Sequence, residues 1–194
     1  MTSPFLTQLA QRLDRDGVTV HRFNFPYMAE RASGGRRRPA PRAETLTAVY
    51  RSALAACLES LPKGAALFIG GKSMGGRVAC LAAGEAGIPD AVAGFVLVGY
   101  PFHPAGKPQR LRLAPLMQLP RPVLIVQGTR DPLGTKEEIA SYELPGTIGM
   151  VWIEDGDHDL RPRASSGSTH EAALRSTSAA IARFIKQGAG RQTR

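Results

Sequence analysis

Residues 65–83 read Ala65-Ala66-Leu67-Phe68-Ile69-Gly70-Gly71-Lys72-Ser73-Met74-Gly75-Gly76-Arg77-Val78-Ala79-Cys80-Leu81-Ala82-Ala83. An apolar run from Ala65 to Ile69 meets a glycine-rich turn, and a second apolar run follows from Val78. That order predicts a buried strand, a tight turn and a helix. Gly71-x-Ser73-x-Gly75 falls on the turn. A serine on so sharp a turn is strained, and a Cβ on either flank would meet the adjoining strand or helix. Glycine at 71 and 75 removes that clash. The hydroxyl then projects past the strand end, and the next backbone N–H, that of Met74, can face a developing oxyanion. Ser73 is thus a candidate nucleophile and Met74 a candidate oxyanion donor. A phosphate-loop reading of Gly71-Lys72-Ser73 requires glycine at position 66, and Ala66 stands there.

The flanking sequence repeats the strand-then-helix order. Ser3-Pro4 is a helix cap followed by proline at the first helical position, and Phe5, Leu6, Leu9, Ala10 and Leu13 form the apolar stripe behind it. Val18 to Phe25 is predicted as a strand ended by Pro26, and residues 29–42 as a basic, Gly/Pro-rich loop. Leu46, Val49, Tyr50, Ala53, Leu54, Cys57, Leu58 and Leu61 give the clearest helical period. Further buried strands are predicted at Ala93–Gly99, Pro122–Gln127 and Met150–Ile153. Thr135 with Glu138 and Ser168 with Glu171 read as capping boxes, the second opening a C-terminal helix that turns Leu174, Ile181, Phe184 and Ile185 inward. Continuous apolar strands alternating with amphipathic helices imply an α/β fold, a mostly parallel sheet covered on both faces. Residues 1–186 form one domain in this reading, and 187–194 a flexible tail.

Active sites in such sheets lie beyond the carboxyl ends of the strands. Three polar residues fall there: Ser73, then Asp131 in Gln127-Gly128-Thr129-Arg130-Asp131-Pro132, then His158 in Asp155-Gly156-Asp157-His158. In that order His158 would take the proton of Ser73, and Asp131 would hold the imidazole tautomer and stabilise its cation. Asp155 and Asp157 rank below Asp131 as the acid, because they would have to reach back to a neighbour in sequence. Tyr100, Phe102 and His103 follow a strand and are expected to line the substrate site. His21 in a strand and His170 at a helix start compete poorly. No metal-ligand cluster is visible, and the chemistry calls for no cofactor.

Composition narrows the class further. The 194 residues carry 25 basic against 16 acidic side chains, a net charge of +9. The excess gathers in short blocks, Arg36-Arg37-Arg38, Arg161 with Arg163, and Arg191 with Arg194. Aromatic residues are 6% of the chain, too few to interleave a basic stripe with stacking rings, which argues against a nucleic-acid partner. No apolar run is long enough to span a bilayer, and Thr7, Gln8 and Gln11 interrupt the N-terminal one. Two cysteines, Cys57 and Cys80, do not make a disulfide framework. The expected setting is the cytoplasm and the expected partner a small acyl substrate, with a protein partner or a second copy left open.

Gly71 to Arg77, Gly99-Tyr100-Pro101-Phe102-His103-Pro104, Gly128 to Pro132 and Asp155 to His158 together resemble the dienelactone-hydrolase-related α/β-hydrolases. Within these the chain is most similar to the testis-expressed and NSL-complex-subunit type. The resemblance runs from Ser3 to about Lys186. It implies an α/β-hydrolase fold, carries Ser73, Asp131 and His158 over as catalytic positions, and implies hydrolysis of an ester or related acyl bond. It also implies an alternative, a non-catalytic interaction domain, because some relatives serve in complexes. Proteins of this type have a strand and a His-Gly-Ala-Gly-like loop ahead of the first helix, whereas this sequence starts at the helix cap. The expectation is therefore that N-terminal strands are missing and that the native start lies upstream.

Overall fold

Four strands, β1 (Leu67–Lys72), β2 (Val92–Val98), β3 (Val123–Gly128) and β4 (Ile148–Ile153), pair in parallel in that order. The computed structural model describes residues 3–32 and 40–192. Seven helices surround the sheet: α1 (Pro4–Arg15), α2 (Pro26–Ala32), α3 (Thr47–Glu59), α4 (Met74–Ala86), α5 (Ala114–Met117), α6 (Lys136–Ala140) and α7 (His170–Gln192). Two short 3-10 turns, Ala43–Leu46 and Ala164–Ser166, complete the elements among the described residues. No helix among them is long and apolar enough to cross a membrane.

Alternate strand residues point to opposite faces, and each face has its own core. On one side Ile69, Phe95, Leu97 and Ile125 pack with Leu46, Tyr50, Val78 and Ala79. On the other Val98, Leu124, Val126 and Ile153 pack with Phe5, Leu9 and Leu13 of α1 and Leu174 and Ile181 of α7. Burial on both faces is why β2 and β3 are apolar without alternation.

The sequence reading holds for the four strands and for the α6 capping box, where Thr135 Oγ1 accepts from Glu138 N and the Glu138 carboxylate accepts from Thr135 N. It fails at Val18–Phe25. That stretch forms no strand and joins no ladder, and it leaves Val20 37% and Phe23 41% exposed. A strand needs a neighbour for its backbone groups. On the β1 side the Tyr50 hydroxyl donates to Gly70 O and accepts from Gly70 N, both at 2.9 Å. The Phe23 ring then packs edge-on against the Tyr50 ring, with centroids 5.4 Å apart.

The cap of α7 also differs. Thr169 Oγ1, not Ser168, accepts from Ala172 N at 3.1 Å, and Glu171 reaches across to Arg12 of α1 at 2.6 Å. The helix continues past Lys186 to Gln192. The Arg36-Arg37-Arg38 block and Arg194 lie outside the described residues.

Candidate active site

Ser73 joins β1 directly to α4 with φ 52° and ψ −118°, a region that side chains rarely adopt. Close approach of strand and helix enforces this turn. A Cβ on Gly71 would lie 2.9 Å from the Gly75 carbonyl carbon, and one on Gly76 would lie 2.8 Å from Gly71 O. Gly75 itself has open space around its Cβ direction. The second glycine that the turn requires is thus Gly76, one position beyond the one read from the motif, because α4 turns its Gly76 edge onto Gly71.

The turn delivers the Ser73 hydroxyl to His158: Oγ and Nε2 are 2.8 Å apart. The other ring nitrogen, Nδ1, is 2.8 Å from Asp131 Oδ2. Asp131 accepts there, so Nδ1 carries the proton, and Nε2 is left to accept from the serine. Asp131 is fully buried after β3. Its Oδ1 accepts from Leu133 N at 2.9 Å, the turn typical of Asp before Pro, and its Oδ2 also accepts from Gln127 Nε2 at 3.0 Å. The imidazole lies against Gly99, where φ is +59° and a Cβ would come within 3.4 Å of the ring atoms Nδ1 and Cε1.

The two lower-ranked acids have other partners. Asp155 binds Arg163 through backbone N and guanidinium and Arg130 through Nε, and the Arg163 hydrogen bond holds its carboxyl down at about 2. Asp157 Oδ1 accepts from Asp159 N and Arg161 N and shapes the His158 loop. Asp159 pairs with Lys72 at 2.7 Å, which depresses its carboxyl below the usual range. Lys72 also lies 5.3 Å from the centroid of the Phe5 ring. One pair thus ties the residue before the serine to the residue after the histidine.

Met74 is the first residue of α4, so its N–H has no acceptor within the helix. Tyr100 and Phe102 are fully buried and His103 is 2% exposed. They support the Asp131 loop from inside the core and offer no surface to a molecule arriving from solvent. Tyr100 O accepts from Gln127, and His103 N donates to Leu133 O at 3.2 Å. The His103 ring lies between Pro104 O and Glu138, at 3.0 and 3.3 Å. His21 and His170 lie apart from the Ser73–His158 pair: His170 Nε2 is 3.1 Å from Asp159 O, and His21 is in the unpaired segment before α2.

Gln127, Gly99 and the Lys72–Asp159 pair take part without having been singled out from the sequence. Gln127 alone left a signal: it is the one polar side chain in the run Val123-Leu124-Ile125-Val126-Gln127. A polar group in a strand buried on both faces needs a reason.

The sheet is parallel, and a serine, a histidine and an aspartate meet at its carboxyl edge. The chain belongs to the alpha/beta hydrolase domain family, which it matches over residues 1–186. It is similar in fold to a protein of unknown function from Agrobacterium tumefaciens, with a TM-score of 0.66 at 16% identity, covering 96% of this chain and 79% of that one. It is similar to Est1E from Butyrivibrio proteoclasticus, solved with ferulic acid bound, with a TM-score of 0.62 at 14% identity and coverage of 95% and 84%. The esterase domain of a Rhodothermus marinus protein matches with a TM-score of 0.60 at 17% identity and coverage of 94% and 80%.

Proposed function

We propose that this protein is a serine hydrolase that cleaves an ester or related acyl bond, with Ser73 as nucleophile, His158 as general base and acid, and Asp131 as the orienting carboxylate. One observation carries the reading: the unbroken relay Ser73 Oγ to His158 Nε2 and His158 Nδ1 to Asp131 Oδ2, 2.8 Å at each link. The Ser73 oxygen adds to the acyl carbon as its proton passes to Nε2. The Met74 N–H, at the positive end of α4, faces the oxyanion. Collapse expels the alcohol or thiol, which takes the proton from Nε2. Water then gives its proton to Nε2 and adds to the acyl group, and Ser73 leaves with that proton. Every proton in the cycle has a donor and an acceptor among these residues and water.

The motif set quoted above resembles that of the dienelactone-hydrolase-related group, and this likeness supports placing the chain there within its family. Between β2 and β3 the only helix among the described residues is the four-residue α5. A connection this modest favours small, soluble acyl substrates over long-chain lipids.

Intact-mass labelling with a fluorophosphonate tests the reading on this chain and on Ser73→Ala. The expected result is a single adduct, lost in the variant, with a labelling rate at least about 10³-fold above that of His158→Ala. Folded protein that takes no adduct would overturn the reading in favour of an interaction domain on a hydrolase fold.

A further inference from the structure

Gln127 lies at the carboxyl end of β3, in register with Trp152 of β4, and is fully buried. Its Nε2 approaches three oxygens: Asp131 Oδ2 at 3.0 Å, Tyr100 O at 3.2 Å and Gly134 O at 3.3 Å. All three accept, and none can donate from those atoms. The amide therefore has one workable orientation, with nitrogen toward them, because the flipped form would press Oε1 against a carboxylate. Two protons serve three acceptors, and Oε1 on the far side is buried without a hydrogen-bond partner. An orphaned buried oxygen is a cost that packing alone gives no reason to accept. An apolar residue of the same size would avoid that orphan, at the expense of the donors that Asp131 and its two neighbours now receive.

Asp131 Oδ2 is also the oxygen that His158 Nδ1 contacts. Leu133 N fixes Oδ1, and Gln127 Nε2 fixes Oδ2 from a different element. Together they stop the carboxylate from rotating about its own bond, and the Gln127 proton draws charge from the oxygen that faces the imidazole. We infer that Gln127 is a positioning residue that orients the Asp131 carboxylate toward His158 and moderates its pull on the imidazolium. Its consequence for rate rests on the hydrolase reading above, whereas its effect on the His158 ring does not.

The charged groups around His158 are Asp131 from the β3 loop and Asp159 from its own loop, the latter paired with Lys72 of β1. None of them changes in Gln127→Met, so a shift in His158 titration in that variant reports the lost amide. Without the amide, Oδ2 holds more charge against Nδ1–H, the cation is favoured, and the ring stays protonated to higher pH. Ring-proton NMR is expected to show the His158 midpoint displaced upward in Gln127→Met relative to the unaltered chain. The acid limb of fluorophosphonate labelling should move with it, and the plateau rate should fall roughly tenfold. In the unaltered chain, the Gln127 side-chain amide resonances should shift with the same midpoint as the His158 ring. This second measurement needs no variant to fold.

A Gln127→Met protein that labels more slowly with an unmoved His158 midpoint would reduce Gln127 to packing and overturn the inference. Amide resonances indifferent to the His158 titration would do the same. If the unaltered protein takes no label, the hydrolase reading fails, and the two NMR measurements still decide for or against Gln127.

Discussion

Ser73 is half-buried and is held at the carboxyl edge of the sheet by a backbone conformation that costs a side-chain-bearing residue about 1–3 kcal/mol. Ser73→Ala keeps that strain, and Ser73→Gly relieves it. In ordinary positions alanine stabilises relative to glycine through the unfolded state. Here the order should reverse, with Ser73→Gly more stable than Ser73→Ala by about 1 kcal/mol in urea unfolding. The ordinary order would mean that the turn is not strained in solution. The same geometry explains what was legible at this scale. Ser73, Asp131 and His158 each follow an apolar strand, and a local pattern marks each position. Gln127, Gly99 and Asp159 act through contacts made only when the strand ends come together, and no spacing rule announces those. Tyr100, Phe102 and His103 follow β2 at the carboxyl edge of the sheet, yet they are buried and do not line an open site, because sequence position does not tell which way a loop folds over.

At the scale of elements, the sheet was readable wherever both faces of a strand are covered, since continuous Val, Ile and Leu then leave little choice. Val18–Phe25 has the composition of a strand, yet strand propensity measures fit to a paired, half-buried surface, and here no ladder receives it. The free side of β1 is closed at Gly70 by the Tyr50 hydroxyl, which both donates and accepts. Tyr50 is 5% exposed, and burial pushes its phenol above the usual range. Tyr50→Phe would leave the Gly70 N–H and C=O without this partner while keeping the ring against Phe23. The expected loss is about 1–3 kcal/mol in urea unfolding, against no measurable change for the more exposed Tyr142→Phe. Equal stabilities for Tyr50→Phe and the unaltered chain would show that water satisfies Gly70 and that the edge is open.

At the scale of the whole molecule, the two cores fix the sheet, and ion pairs fix the loops that rise from it. Arg12–Glu171 joins α1 to α7, Lys72–Asp159 joins the serine turn to the histidine loop, and Asp155 gathers Arg163 and Arg130. Asp155 is held at about 2, chiefly by its hydrogen bond from Arg163. Its folded value lies below the ordinary carboxylate value of about 3.9, so folding favours the ionised form. The stabilisation is complete above that ordinary value and is lost as pH falls through about 2. A net charge of +9 makes the molecule prone to acid unfolding in any case, because every protonated carboxyl adds to the repulsion. The informative quantity is therefore the difference between Asp155→Asn and the unaltered protein. Asp155→Asn should melt at a lower temperature by a constant margin from pH 5 to pH 7, and the margin should close as pH drops from about 4 toward 2. Because Asp155 shapes the loop that carries His158, the variant should also label more slowly with fluorophosphonate at neutral pH. Asparagine tolerates the φ of +54° at this position as well as aspartate does, so a melting margin that persists unchanged at the acid end would assign the effect of Asp155 to hydrogen-bond acceptors that the amide cannot replace, and not to its charge.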